Sequence, residues 1–300
     1  MELPGSWLLA VPSFVLRSTF HVFTDPPPPR IFPPCPAAGR AQPRLRMPPF
    51  TEPLPPSPAV PAGPAGAPAA VVVPVVHAVT TPALLVQPEF VARARDVMAA
   101  LGPRGAVHLR GHELTARQLF DLACLLGEAQ AATGCWLVVN DRLDVALAAG
   151  ARGAQLTSRS MRPDDARIAA DRVRARLALG ASIHAVAEAR AAEAAGAAWV
   201  VAGHVYATPS HAGAAGAGVG FVHDVAAAVR VPVVAIGGVT PADVPALRAA
   251  GAHGVAVIRG VWDASDAERA ATDYLASYDA DAAPGRDDRP DGERRAARDG

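Results

Sequence analysis

The chain reads as a single (β/α)₈ barrel, and three observations predict it. Eight short apolar runs alternate with eight Ala-rich segments of helical period. The runs lack strict apolar–polar alternation, as parallel strands covered on both faces do. A phrase also repeats: "AAGARGAQL", "AAGAAWVVA" and "AAGAHGVAV" each close a helix on glycine and restart a strand about two residues later. Eight strand–helix units close most economically on themselves. An open doubly wound sheet is the alternative, but no Gly-rich dinucleotide fingerprint follows the first strand.

In chain order, the first strand is expected within Val71–Thr80 and its helix at Glu89–Leu101. Ala106–Arg110 and Thr115–Ala131 form the second unit, Trp136–Asn140 and Leu143–Ala149 the third. The fourth is Gly153–Leu156 with Pro163–Ala175, the fifth Leu177–Ile183 with Ala185–Ala195. Trp199–Tyr206 and Val222–Val229 follow, then Val233–Ile236 with Pro241–Ala250, and last Gly254–Ile258 with Ala264–Tyr274. Gly150, Gly196 and Gly251 mark the tight helix-to-strand turns.

Different compositions flank this region. Residues 1–69 carry "DPPPPR", "FPPCPAAG" and "TEPLPPSPAVPAGPAGAP", where proline removes backbone donors, so a disordered Pro/Ala-rich arm is expected. Met47 offers an alternative start just upstream of the regular part. Residues 70–278 make the barrel domain. Residues 279–300 are polar and aperiodic and read as a disordered tail. The opening apolar stretch has no basic residue before it and is interrupted by Pro12, so no secretory signal is expected. With no long apolar span, a cytoplasmic location is expected.

Of the 300 residues, 51% are hydrophobic, and the formal net charge is zero. Such balance gives no reason to expect nucleic acid or an anionic membrane as partner. Every basic side chain is arginine, which excludes Schiff-base chemistry and a phosphate-loop lysine. Cys35, Cys124 and Cys135 are too few and too scattered for a disulfide framework or a zinc site.

Chemistry in such a barrel belongs at the C-terminal ends of the strands. In "VVAIGGVTP", Gly237 and Gly238 bare backbone N–H groups ahead of a helix. "VIRG" adds Ile258, Arg259 and Gly260 after the eighth strand. Together these form a candidate phosphate site of the strand 7–8 type. Arg110, on the same side of strand 2 as His108, is a candidate anion ligand, with a rim ion pair as the alternative. Asn140 and Asp141 end strand 3; Asp141 reads either as a helix N-cap or as a Mg²⁺ ligand. Ser182 and Thr208 are further substrate-side candidates at strand ends 5 and 6. His204 ends a strand so apolar that its ring must face the barrel mouth, where it reads either as a group suited to give and take a proton near neutrality or as a histidine merely satisfied by hydrogen bonds.

The region from Val71 to about Tyr274 resembles the thiamine phosphate synthase and TenI family. The resemblance rests on "VNDRLDVAL", "GASIHAVAEARAAEAAGAAWVVAGHVYAT", "VPVVAIGGVTP" and "AGAHGVAVIRG", in order and in spacing. Synthases of the family couple a pyrimidine pyrophosphate to a thiazole phosphate with Mg²⁺ held by two aspartates. Asp141 matches the first, but Ser160 stands at the second, and His112 and His211 stand at two lysine positions. The thiazole tautomerases instead carry a Gly-His-Val-Phe motif, which "GHVY" at Gly203–Tyr206 resembles, with His204 on their acid–base histidine. "VHAVTT", "VHLR" and "QLTSRS" resemble tautomerase forms too, while Asp141 departs from them.

The resemblance therefore implies a thiazole tautomerase in thiamine biosynthesis, acting on a carboxythiazole phosphate without a cofactor. Its alternatives are a Mg²⁺-dependent thiamine phosphate synthase and a non-catalytic paralogue that binds thiazole phosphate and regulates a partner. A homo-oligomer is expected in each case.

Overall fold

The computed structural model describes residues 71–208 and 215–280, so the expected N-terminal arm, most of the expected tail and His211 lie outside the described residues. Eight parallel strands close into a barrel in chain order: β1 Val76–Val79, β2 Gly105–Leu109, β3 Trp136–Asn140, β4 Gly153–Leu156, β5 Ala178–Ile183, β6 Trp199–Gly203, β7 Val233–Ile236 and β8 Gly254–Val257. β8 returns to β1, with Val76 opposite Val255. The predicted barrel is the observed one.

The helices are α1 Pro82–Leu85, α2 Phe90–Leu101, α3 Ala116–Thr133, α4 Leu143–Ala148, α5 Pro163–Arg172, α6 Val186–Ala194, α7 Gly218–Ala228, α8 Val244–Ala249, α9 Arg259–Trp262 and α10 Ala267–Asp279. Their starts follow local chemistry. Thr115 and Gln118 form a reciprocal capping box at α3, and the Asp266 carboxylate accepts the Arg269 N–H at α10. Gly150, Gly196 and Gly251 take φ of 66°, 85° and 97°, the left-handed conformation expected at those turns.

Several expected boundaries shift for physical reasons. β1 begins only at Val76, because Pro74 has no N–H to give a ladder. β6 stops at Gly203, so His204 to Tyr206 belong to the loop rather than the strand. The helix expected from Pro241 splits into a 3₁₀ turn, Pro241–Asp243, followed by α8. The four-residue helices α1 and α9 were not expected; each is too short to show a period.

One apolar cluster fills the space between sheet and helices, and a second fills the barrel interior. The interior is built around Trp199, fully buried, whose indole N–H donates to Gln155 Oε1 at 2.9 Å. Glycine makes room for that ring. A Cβ at Gly180 would lie 2.1 Å from Trp199 Cε2 and 2.4 Å from Gln155 Oε1. Gly180→Ala is therefore expected to cost about 1–3 kcal/mol of stability. A denaturant titration checks it, and combining the change with Trp199→Leu should recover part of the loss if the indole is the obstacle.

Candidate functional site

The C-terminal strand ends surround a cavity of about 1170 Å³. Its lining includes Arg110, Asn140, Ser182, His204, Thr208, Gly237, Gly238, Ile258, Arg259 and Gly260, so all ten predicted ligand and catalytic positions meet in one place. Asp141 lines instead a smaller adjoining cavity of about 320 Å³ with His112 and Arg159.

One wall is the pair of loops after β7 and β8. Gly237 and Gly238 have φ of 106° and 68°. A Cβ on Gly237 would meet His204 Cβ at 2.4 Å, and one on Gly238 would meet the Ala207 carbonyl at 2.8 Å. Only bare backbone lets this loop lie against the His204 segment. A Cβ on Gly260 would sit 2.1 Å from the Tyr274 hydroxyl, which itself donates to the Val239 carbonyl at 2.9 Å. The N–H groups of Gly237, Gly238 and Gly260 meet no backbone carbonyl among the described residues. They suit an anion such as a phosphate.

The expected helix N-terminus contributes differently. The Asp243 carboxylate accepts both the Thr240 N–H, at 2.8 Å, and the Thr240 hydroxyl, at 2.7 Å. That capping box satisfies the helix start internally, so the anion-binding capacity rests on the loop amides and on Arg259. The Arg259 guanidinium donates to Thr208 Oγ1 at 2.8 Å and so ties the loop after β6 to the one after β8.

His204 follows β6 and faces the cavity between these loops. Its backbone carbonyl accepts the Ala217 N–H at 2.9 Å. Preceding it, the Gly203 carbonyl accepts from His184 Nδ1 at 2.7 Å, while the Glu188 carboxylate accepts the His184 N–H at 2.7 Å. This arrangement places the imidazole in the cavity beside the Gly237–Gly238 loop.

Across the mouth, the Arg110 backbone is anchored by its N–H donating to Thr80 Oγ1 at 2.9 Å. No acid pairs with its guanidinium among the described residues, which removes the rim ion pair as an explanation. Below it, His108 and Asn140 are buried.

Asp141 is not the N-cap of α4. Arg142 occupies the N-cap of α4 and Asp141 makes no cap to it. With φ of 62°, Asp141 turns its carboxylate to the loop after β4. There Oδ1 accepts the Thr157 hydroxyl at 2.5 Å and the Ser160 hydroxyl, and the Arg159 guanidinium lies 3.6 Å from Oδ2. The cap expectation fails because the nearer hydroxyl donors win the carboxylate.

As a magnesium site the same donors fit poorly. Mg²⁺ is held by anionic oxygens with waters or phosphates. Here one carboxylate is spent on two hydroxyl donors beside a guanidinium, and Ser160 supplies no second charge. No group of three or more potential metal-ligating side chains occurs among the described residues.

Sequence reasoning passed over other cavity residues. Gln155 and Tyr274 line the cavity but lie in segments whose partners are set only when the barrel closes. No helix among the described residues is long and apolar enough to cross a membrane.

Comparison with known proteins adds the following. A family model described as thiamine monophosphate synthase matches residues 76–261. A thiamine-phosphate synthase from Methanoculleus marisnigri is 39% identical over 188 residues, 61% of this chain and 88% of that protein. One from Salinispora arenicola is 44% identical over 171 residues, 54% of this chain and 77% of that protein. Among solved structures, thiamine phosphate pyrophosphorylase from Pyrococcus furiosus matches at a TM-score of 0.60 and 28% identity. The match covers 68% of this chain and 95% of that one.

Proposed function

The chain belongs to the thiamine monophosphate synthase family and is an enzyme of thiamine biosynthesis; from that premise we propose that it is a thiazole tautomerase, aromatising a carboxythiazole phosphate by proton transfer through His204. The observation that carries this reading is the position of His204. It stands in the cavity against the Gly237–Gly238 loop, while the carboxylate that would have to hold a metal is engaged by Thr157 and Ser160.

In this reaction the amides of Gly237, Gly238 and Gly260, with the Ile258–Arg259 backbone beside them, hold the phosphate. Arg110 takes the carboxylate, and Asn140, Ser182 and Thr208 border the ring. Neutral His204 removes the proton from the ring carbon, and the resulting imidazolium returns one to the exocyclic carbon. The double bond moves into the ring, no phosphate bond breaks and no cofactor is required of the chain's own residues. Turnover of a carboxythiazole phosphate in deuterium oxide, followed by NMR, tests it: deuterium should enter the exocyclic carbon without added Mg²⁺. Absence of turnover sinks the reading.

A second reading, the Mg²⁺-dependent coupling of a pyrimidine pyrophosphate with a thiazole phosphate, has its own support in relatives named thiamine-phosphate synthase. Asp141 and Arg110 are the residues that this reading would use. Under it, thiamine phosphate would form only with Mg²⁺, and Asp141→Ala would abolish the product. Under the tautomerase reading the same substitution should change turnover by less than about tenfold, since it removes a loop anchor rather than a reagent. Assaying both reactions on one preparation, with and without Mg²⁺, separates them. The thiazole phosphate is the partner in either case, with a homo-oligomeric cytoplasmic enzyme as the expected form.

A further inference from the structure

The barrel floor holds a buried chain of hydrogen bonds that the reaction above does not use. His77 Nε2 lies 2.9 Å from the Pro74 carbonyl, His77 Nδ1 lies 2.8 Å from His108 Nε2, and His108 Nδ1 lies 3.3 Å from Asn140 Oδ1. His77 is fully buried and His108 is 1% exposed.

The direction of this chain follows from its end. A carbonyl only accepts, so His77 Nε2 must carry the hydrogen facing Pro74. A neutral imidazole has one N–H, so His77 Nδ1 is a lone pair and His108 Nε2 must donate to it. His108 Nδ1 is then a lone pair as well. An amide oxygen set against it would be two acceptors face to face. A half-turn of the Asn140 amide exchanges oxygen and nitrogen with almost no change of shape and brings an N–H to His108.

We propose that His77 and His108 are positioning residues: anchored on the Pro74 carbonyl, they turn the Asn140 amide so that its carbonyl oxygen faces the cavity.

Both rings must stay neutral for this, and their surroundings hold them so. Burial lowers His77 to about 4, and burial together with the neighbouring His77 holds His108 well below its ordinary range. No carboxylate pairs with either ring among the described residues. The reverse direction would need a lone pair of His77 Nε2 aimed at a carbonyl.

A second chain on the adjoining strand ends oppositely. The Trp199 indole N–H donates to Gln155 Oε1, and Gln155 Nε2 donates to Ser182 Oγ at 3.0 Å. That leaves the Ser182 hydroxyl proton for a ligand. Asn140 and Gln155 are paired across β3 and β4, so the floor offers an acceptor beside a donor. The Asn140 oxygen repels a carboxylate or phosphate, which are left to Arg110 and the loop amides, so it fixes which way round a ring can lie. This deepens the proposed function, on which it rests only in placing the ligand in this cavity.

The test has two arms on the full chain. Long-range ¹H–¹⁵N correlation spectra of protein labelled at the histidine nitrogens, assigned by single substitutions, should show His77 and His108 both as Nε2–H tautomers at pH 7. His108 as the Nδ1–H tautomer, or either ring doubly protonated, overturns the proposal. In the second arm His108→Gln, able to donate to His77 and accept from Asn140, should keep kcat/KM for the carboxythiazole phosphate within about threefold of the unsubstituted protein. His108→Leu should lower kcat/KM about three- to tenfold, because an unanchored amide lets the ring settle in unproductive orientations. Equal effects of the two substitutions overturn it. The spectra need no turnover, so failure of the proposed reaction and failure of the relay are told apart.

Discussion

Replacing His204 with alanine is expected to lower tautomerase turnover by about 10²- to 10⁴-fold, the range a positioned general acid–base contributes. The barrel should stay folded, because the side chain lies beyond the end of β6 and lines the cavity, while the segment is held through its backbone. The His204 carbonyl accepts from Ala217 and the Val205 N–H donates to Ile236, and alanine keeps both bonds. Loss should fall on kcat, since under the proposed reading the loop amides and Arg110, which the substitution leaves in place, hold the substrate. His204→Gln, similar in size and able to hydrogen-bond but not to exchange a proton near neutrality, should be as impaired as alanine. If either variant keeps full turnover with an unchanged unfolding midpoint, His204 is not the acid–base group.

The reading of His204 shows what the sequence can and cannot supply. Its place at the mouth was legible because "WVVAG" is an unbroken apolar run and a barrel puts the following residue at the site. The cavity wall was legible for a similar reason, since Gly237, Gly238 and Gly260 follow strands 7 and 8 and a barrel gathers those loops at one mouth. The cap alternative for Asp141 stayed open locally, because the competing hydroxyls of Thr157 and Ser160 lie on the next strand's loop, 16 and 19 residues on. The helix α9 hid in "RGVW", too short for a period. The His77–His108 chain was hidden most thoroughly. Each histidine alone in an apolar strand reads as a satisfied core residue, and only the register of β1 on β2, with Val79 opposite His108, brings them together. Trp199 was likewise one more apolar letter, because the space for its ring comes from Gly180 on β5 and Gly153 on β4, which only barrel closure brings to it.

Gly237→Ala should cost about 2–4 kcal/mol of stability and also most of the binding of the phosphate-bearing substrate. Two penalties add at this position. A side chain at φ of 106° is strained wherever it sits, and here the new methyl would also lie 2.4 Å from His204 Cβ and 2.7 Å from His204 Cα. Neither obstacle is a flexible tip, so relief must come from moving the loop or the His204 backbone. Under the proposed reading, moving the loop would withdraw its amides from the phosphate, and moving the backbone would displace the imidazole from the ring. Gly196→Ala supplies the control. Gly196 also has positive φ, 85°, but a Cβ there meets nothing within 4 Å, so only the conformational strain of about 1 kcal/mol applies and turnover should be preserved. Urea unfolding and kcat/KM measured on both variants separate the two penalties. Should Gly237→Ala match Gly196→Ala in both measurements, the loop after β7 does not brace His204 and its glycines serve the turn alone.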